Sequence, residues 1–198
     1  MPIMDVRYPA GSLEGPTGET LAQRLTEVLI SMEGGANTRA GRAFARVLFT
    51  EVKAGNWWVG GYADNTLIAP PGAFLVHVTV PEDYMNAAHK SEVHLAVNGA
   101  ITQAMRASPQ PDTGASVLVV IDEVTEGNWG AGGRTISLDS IAESVALPKH
   151  GERFQWARSY FQAKARQFVS AGYPAGTCGL LPSTSSHGQP SLIDSPRA

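Results

Sequence analysis

The chain has 198 residues, 43% of them hydrophobic and 17% charged, a balance that supports a packed core of the ordinary soluble kind. A formal net charge of −3 without a basic stripe excludes a protein that grips nucleic acid through clustered Lys and Arg. One cysteine, Cys178, excludes an internal disulfide framework, and no segment approaches the roughly 20 apolar residues that span a bilayer, so no membrane partner is expected and the expected compartment is the cytoplasm.

Ile3, Val6 and Tyr8 alternate along residues 2–9 and meet Pro9-Ala10-Gly11, which reads as a short strand closed by a turn. Leu21, Leu25, Val28, Leu29 and Met32 then form the apolar stripe of a helix lying on a sheet, with Thr17 as its cap and Gly34-Gly35 as its end. Arg42 to Glu51 reads as the next strand, and Gly55 to Gly61 as a glycine-rich turn or hairpin. A linker, Tyr62 to Gly72, leads into Phe74-Leu75-Val76-His77-Val78-Thr79-Val80, a near-continuous apolar run typical of a buried strand. Val93, Val97, Ala100, Ile101 and Met105 mark a second helix, and Ser116 to Ile121 a further strand.

These elements are one unit written twice. Glu51-Val52-Lys53-Ala54-Gly55-Asn56-Trp57 returns as Glu123-Val124-Thr125-Glu126-Gly127-Asn128-Trp129, and the same offset of 72 residues pairs Val6 with Val78, Pro9 with Pro81, Leu21 with Val93, Leu25 with Val97 and Val47 with Val119. Each unit is β-α-β plus a hairpin. A crossover between parallel strands has one favoured hand, so two units give an α/β fold: a four-stranded sheet with both helices on one face and the other face bare and apolar. Such a face favours symmetric self-assembly. After Ser137 the repeat is finished. Leu138 to Leu147 reads as a short helix stopped by Pro148, and Glu152 to Ser170 as an amphipathic helix with Phe154, Phe161, Ala165 and Phe168 on one side; from about Ser183 the Pro-, Gly- and Ser-rich composition predicts disorder.

The start Met1-Pro2-Ile3, the turn Pro9-Ala10-Gly11, the strand residue Arg46 and the run Thr50 to Gly61 together resemble the tautomerase superfamily, specifically members that fuse two units of the 4-oxalocrotonate tautomerase type. The resemblance covers residues 1–137, with repeat units 2–61 and 74–133; residues 138–182 are a helical extension and 183–198 a tail. It implies a homotrimer with no cofactor that isomerises a small carboxylic or keto acid through a proline freed by loss of the initiator methionine. A free Pro2 nitrogen is a secondary amine of the class that titrates near pH 7.7–8.0, and burial beside a cation lowers this further, so the neutral amine can move a proton next to a carbonyl. Chemically, Pro2 is equally well explained as a strand-starting residue.

By the same resemblance Arg46 binds the acid or its carbonyl oxygen, and Trp57 walls the pocket. Arg42, four residues before Arg46, falls on the same side of the expected strand, where two guanidiniums could clamp an acid. The family's arginine after the first strand is missing: Ser12 stands there, followed by Leu13, and Leu118 replaces Arg46 in the second unit. Arg134, just past Gly132-Gly133, is a candidate substitute cation or else plain surface charge, Arg7 is a further candidate, and Trp129 repeats Trp57. Relatives that use the proline as an acid add water to unsaturated acids or assist decarboxylation, and a non-catalytic binding protein on the same scaffold is a further alternative. His77, His89 and His94 lack metal-ligand spacing, and neither glycine run has the ending of a phosphate loop.

Overall fold

The computed structural model describes residues 2–32, 37–146 and 148–177. Strand β1 (Ile3–Pro9) leads into helix α1 (Gly15–Met32), a short helix α2 (Arg39–Phe44) and strand β2 (Arg46–Val52). The second unit repeats this as β3 (Phe74–Pro81), α3 (Ala87–Ala104) and β4 (Val117–Val124), followed by the hairpin β5 (Gly130–Ala131) and β6 (Arg134–Thr135). The extension contributes α4 (Leu138–Ser144) and α5 (Glu152–Ser170). Among the described residues no helix is long and apolar enough to cross a membrane. The expected helix end at Gly34-Gly35, the residue Leu147 and the expected tail from Ser183 lie outside the described residues.

The expected four-stranded α/β sheet is present, in the order β2-β1-β3-β4. Each unit pairs its own strands in parallel, Ile3 with Arg46 and Phe74 with Val117, while β1 and β3 meet antiparallel with Ile3 opposite Thr79. Period-two alternation sends Met4, Val6, Val76 and Val78 into the core, where Leu21, Leu25 and Leu29 of α1 and Val93, Val97 and Ile101 of α3 cover them. The extension joins the same core through Phe154, Ala157 and Phe161, one stripe of α5, with Leu138 and Ala142 of α4. Phe168, expected on that stripe, is half-buried and packs on Tyr173 instead, with ring centres 4.9 Å apart.

The duplication is visible in hydrogen bonds. Gly11 N–H donates to Glu51 Oε1 at 2.9 Å, and 72 residues on Asp83 N–H donates to Glu123 Oε1 at 3.3 Å. The turn needs a left-handed backbone, with φ of 79° at Gly11 and 53° at Asp83, and Asp is among the few side-chain-bearing residues that tolerate it.

Four expectations are corrected. Residues 39–44 are helical, not part of a strand, because the Thr38 hydroxyl accepts the Gly41 N–H and caps α2; Arg42 therefore does not share a strand face with Arg46. Thr17 is inside α1, whose first turn instead closes through Gly18 N–H to the Glu14 carbonyl, with Pro16 in a position where no N–H is required. The bare sheet face is mixed rather than apolar: beside Leu48, Leu118 and Val120 it carries Asp5, which accepts from Arg7 and from Thr50 at 3.1 Å, and a His77–Asp122 contact of 2.7 Å. The first expected hairpin is reduced to a single antiparallel bridge between Val59 and Tyr62.

Gly114 fixes the entry to β4. Its φ is +87°, its carbonyl accepts from Asn98 Nδ2 at 2.9 Å, and a Cβ there would meet Asn98 Oδ1 at 2.4 Å. Gly114→Ala is expected to cost about 1–3 kcal/mol, read as a lower midpoint in urea unfolding with the slope unchanged. A midpoint equal to wild type would remove this contact from the account.

Candidate functional site

Pro2 is buried at the head of β1. In the second unit the equivalent residue, Phe74, donates its N–H to the Ser116 carbonyl at 3.1 Å; a proline inside a chain has no N–H to donate and is tolerated here because the strand begins at this point. Pro2 is held instead through its carbonyl, which accepts the Arg46 N–H at 3.3 Å. The backbones of Pro2 and Arg46 therefore adjoin. Their side chains diverge: Arg46 pairs with Ile3 and leaves on the open sheet face, whereas alternation carries Pro2 towards the helices. Arg46 is exposed and makes no ion pair among the described residues.

The antiparallel β1–β3 pairing decides what else reaches this end of the sheet. Ile3 is opposite Thr79, and Thr79 is opposite Asp122, so the neighbours of Pro2 are the end of β3, the end of β4 and the loops that follow them. Arg134 and Trp129, both on the second hairpin segment, belong to this end; Arg134 is exposed and Trp129 only 7% exposed. Arg42, also at this end, is engaged by Asn37 Oδ1 at 2.7 Å. Trp57 and Ser12 are at the other end, because Ser12 follows the end of β1 and Trp57 follows the end of β2. A seven-residue strand separates them from Pro2, about 20 Å at 3.3 Å per residue. Ser12 closes its own turn with an N–H to the Pro9 carbonyl, and Trp57 is half-buried. One chain thus brings Pro2, Arg46 and Arg134 to one end and leaves Trp57 and Ser12 at the other. Arg7, on the open face, is held by Asp5 at 2.8 Å.

A polar cluster that sequence reasoning missed also sits at the Pro2 end. Glu82, directly after β3, accepts from the Tyr160 hydroxyl at 2.8 Å, from Lys164 of α5, and through its other oxygen from the Glu126 N–H at 3.2 Å. Burial pushes the Glu82 carboxyl up, but the Lys164 and Tyr160 hydrogen bonds outweigh it and hold the group below the usual carboxylate range. Tyr160 is pushed well above the ordinary phenol by burial and by the Glu82 charge. Glu126 is 2% exposed; Oε1 accepts the Leu138 N–H at 3.0 Å at the start of α4, while Oε2 and Trp129 Nε1 have no partner among the described residues. Burial raises the Glu126 carboxyl, opposed by the Leu138 N–H and reinforced by Asp139 and Glu82. The signal was present in the repeat: Glu82 and Glu126 replace Ala10 and Ala54 of the first unit. A separate groove of about 560 Å³ lies between α1 and α3, floored by Ala96, Gly99 and Ala100 with Arg24 and Arg153 on its rim; none of the residues expected from the sequence lines it.

No protein-family model and no curated protein matches the sequence. Solved structures do match, and they define the class of fold: it is that of tautomerase superfamily proteins. The fused 4-OT wild-type symmetric trimer aligns at TM-score 0.54 and 18% identity, with 70% of this chain covering 97% of that one. Pt0534 inactivated by 2-oxo-3-pentynoate aligns at 0.55 and 16% identity, with 70% of this chain and 98% of that one covered. N1, a member of the cis-3-chloroacrylic acid dehalogenase family, aligns at 0.53 and 17% identity and covers 85% of this chain and 99% of its own.

The raised Glu126 carboxyl has a pH signature. A group whose folded pKa lies above its unfolded value loses stability as pH rises from the unfolded value through the folded one, since ionising it costs more in the folded state. Glu126→Gln keeps an oxygen for Leu138 and removes this titration. The variant is therefore expected to gain on wild type as pH rises above about 4, measured as the difference in urea midpoint; a difference that stays flat as pH rises to neutrality would refute a carboxyl raised by burial.

Proposed function

We propose that this protein is a cofactor-independent isomerase in which Pro2, freed by removal of Met1, moves a proton on a small 2-keto or unsaturated acid. The observation that carries the reading is a buried proline at the head of a central strand, in a fold shared with fused 4-OT. That Pt0534 is inactivated by an electrophilic 2-keto acid supports the substrate class. In this scheme the neutral amine takes a proton from the carbon next to the ketone, the C–H electrons form the enol, and the resulting ammonium returns the proton at a second carbon. A guanidinium beside the enol oxygen stabilises the charge that develops there, and Arg46 and Arg134, exposed and without ion pairs among the described residues, are the groups for that role.

The placement of Trp57 supports assembly. At about 20 Å from Pro2 in its own chain, it can wall the site only from another copy, which agrees with the symmetric trimer described for fused 4-OT. The exposed Leu48, Leu118 and Val120 on the open sheet face supply apolar area for that contact. Ser12, at the same end as Trp57, would reach a neighbour's proline by the same route, while Arg42, bound to Asn37, is the weakest of the substrate-binding residues. A second reading is favoured by the larger share of this chain that N1 covers: a protonated Pro2 acting as the acid in adding water to an unsaturated acid, with halide loss from a chloroacrylate.

The test is ketonisation of phenylenolpyruvate by wild type and Pro2→Ala, after intact mass has established that Met1 is absent. The variant is expected to lose about 10²–10⁴-fold in kcat/KM, and Arg46→Ala to raise KM or lower kcat. Mixing inactive Pro2→Ala with inactive Trp57→Ala subunits is expected to restore activity, because a mixed assembly contains sites with both residues intact. Equal rates for wild type and Pro2→Ala would reject the proline, and halide release from 3-chloroacrylate without ketonisation would select the second reading.

A further inference from the structure

The extension is fastened to the protein at the same end as Pro2. Arg153, in the first turn of α5, donates to the carbonyl of Met32 at the end of α1 and lies 3.6 Å from Glu92 near the start of α3. Tyr160 and Lys164, two turns further on, hold Glu82 just past β3. Glu126, just past β4, holds the first N–H of α4. Each attachment point is at the Pro2 end of its own element: α1 runs back from the end of β1 towards its beginning, and α3 starts where β3 has just come alongside Ile3. The opposite end, which carries Ala10, Ala54 and Trp57, has no such cover among the described residues, and its glycine-rich segment leaves Trp58 62% and Tyr62 50% exposed.

The two carboxylates that make these attachments stand where the first unit has alanine, Ala10 becoming Glu82 and Ala54 becoming Glu126. The attachments are also enclosed. The side chains of Lys164 and Glu82 are 13% and 14% exposed, and the Lys164 ammonium lies 5.9 Å from the centre of the Tyr160 ring and 5.6 Å from that of Phe168. An ion pair so placed, with a tyrosine hydroxyl on the same carboxylate oxygen, fixes orientation more than it adds net stability, since removing either partner leaves the other buried and uncompensated.

We propose that α4 and α5 form the wall that limits the size of acid admitted to Pro2, and that Lys164 is the positioning residue that holds this wall against Glu82. The inference rests on the reading of Pro2 as a free, reactive amine. Lys164 touches no substrate; it acts through Glu82 and Tyr160. Loosening α5 opens the Pro2 end to larger acids without altering the proline, so selectivity by size changes while the intrinsic reactivity of the amine does not.

The test labels the full-length protein with 2-oxo-3-pentynoate and with its analogue bearing phenyl in place of the terminal methyl. The amine nitrogen adds to the alkyne carbon β to the ketone, one π bond breaks, and the adjacent carbon takes up a proton, so each adduct adds the whole probe mass to the Pro2 peptide. In Lys164→Met the rate for the phenyl probe relative to the methyl probe is expected to rise by about tenfold or more, with hydrogen exchange across residues 152–170 accelerated; Lys164→Arg is expected to keep the wild-type ratio. Faster exchange with an unchanged ratio overturns the wall. Unchanged exchange in Lys164→Met overturns Lys164 as the residue that holds it. No adduct at Pro2 with either probe, even once α5 exchanges freely, overturns both the wall and the free amine, and the Pro2→Ala turnover assay separates that outcome from failure of the wall alone.

Discussion

The antiparallel meeting of β1 and β3 governs the rest of this molecule. Each β-α-β unit is internally parallel, so its loops cluster after its own strand ends, far from its own beginning. Joining the two units antiparallel through their first strands sets the start of one against the loops of the other. Pro2 therefore has the second unit's turn, hairpin and extension for neighbours, and Phe74 has the turn and glycine-rich loop of the first. A parallel junction would have left Pro2 among strand beginnings, with no loop to build a site from.

That arrangement gives meaning to the differences between the copies. Side chains facing the core are kept at matching positions, as with Val6 and Val78 or Leu25 and Val97, because both units pack on the same shared layer. The turn-closing carboxylates are kept as well, Glu51 on Gly11 and Glu123 on Asp83. The second unit alone carries Glu82 and Glu126; Glu82 accepts from Tyr160 of the extension and from the Glu126 N–H, and Glu126 accepts from the Leu138 N–H at the start of the extension. The two carboxylates respond oppositely to nearly the same place. Glu82 is stabilised as an anion because a cation and a hydroxyl outweigh its burial, whereas Glu126, with one oxygen unpartnered, is pushed towards the neutral acid.

The sequence made the sheet, the two long helices and α5 legible because each carries a strong period and is repeated or long. It misled at α2 and at the head of α1, where the start of the helix depends on a single capping or turn contact. Arg42-Ala43-Phe44-Ala45-Arg46 alternates like a strand, yet one hydrogen bond from Gly41 to the Thr38 hydroxyl commits the first part to helix. The start of α1 shows the same limit, since Glu14 closes a turn through its backbone carbonyl, which leaves no side-chain signature. Polar chemistry on the open sheet face was missed for another reason: Thr50 and Asp5 come from different strands, as do His77 and Asp122, and their contacts exist only once the register is set. For the site, Pro2 and Arg46 were placed side by side by the parallel β1–β2 pairing, but the distance of Trp57 from Pro2 follows from topology, which no local pattern records.

The two hairpin tryptophans draw these strands of the argument together. They occupy the same repeat position, yet Trp129 is enclosed with Leu138 and Glu126 close in the chain, while Trp57 remains half-exposed beside the far more exposed Trp58. An aromatic at a repeat position that is buried in one copy and open in the other is no longer one residue used twice. The enclosed copy leaves its indole N–H without a hydrogen-bond partner among the described residues, a cost of that enclosure. The open copy has the area and the position to serve a neighbouring chain. The extension thereby breaks the internal symmetry that duplication produced, and it breaks it at the end of the sheet where only one of the two units begins with proline.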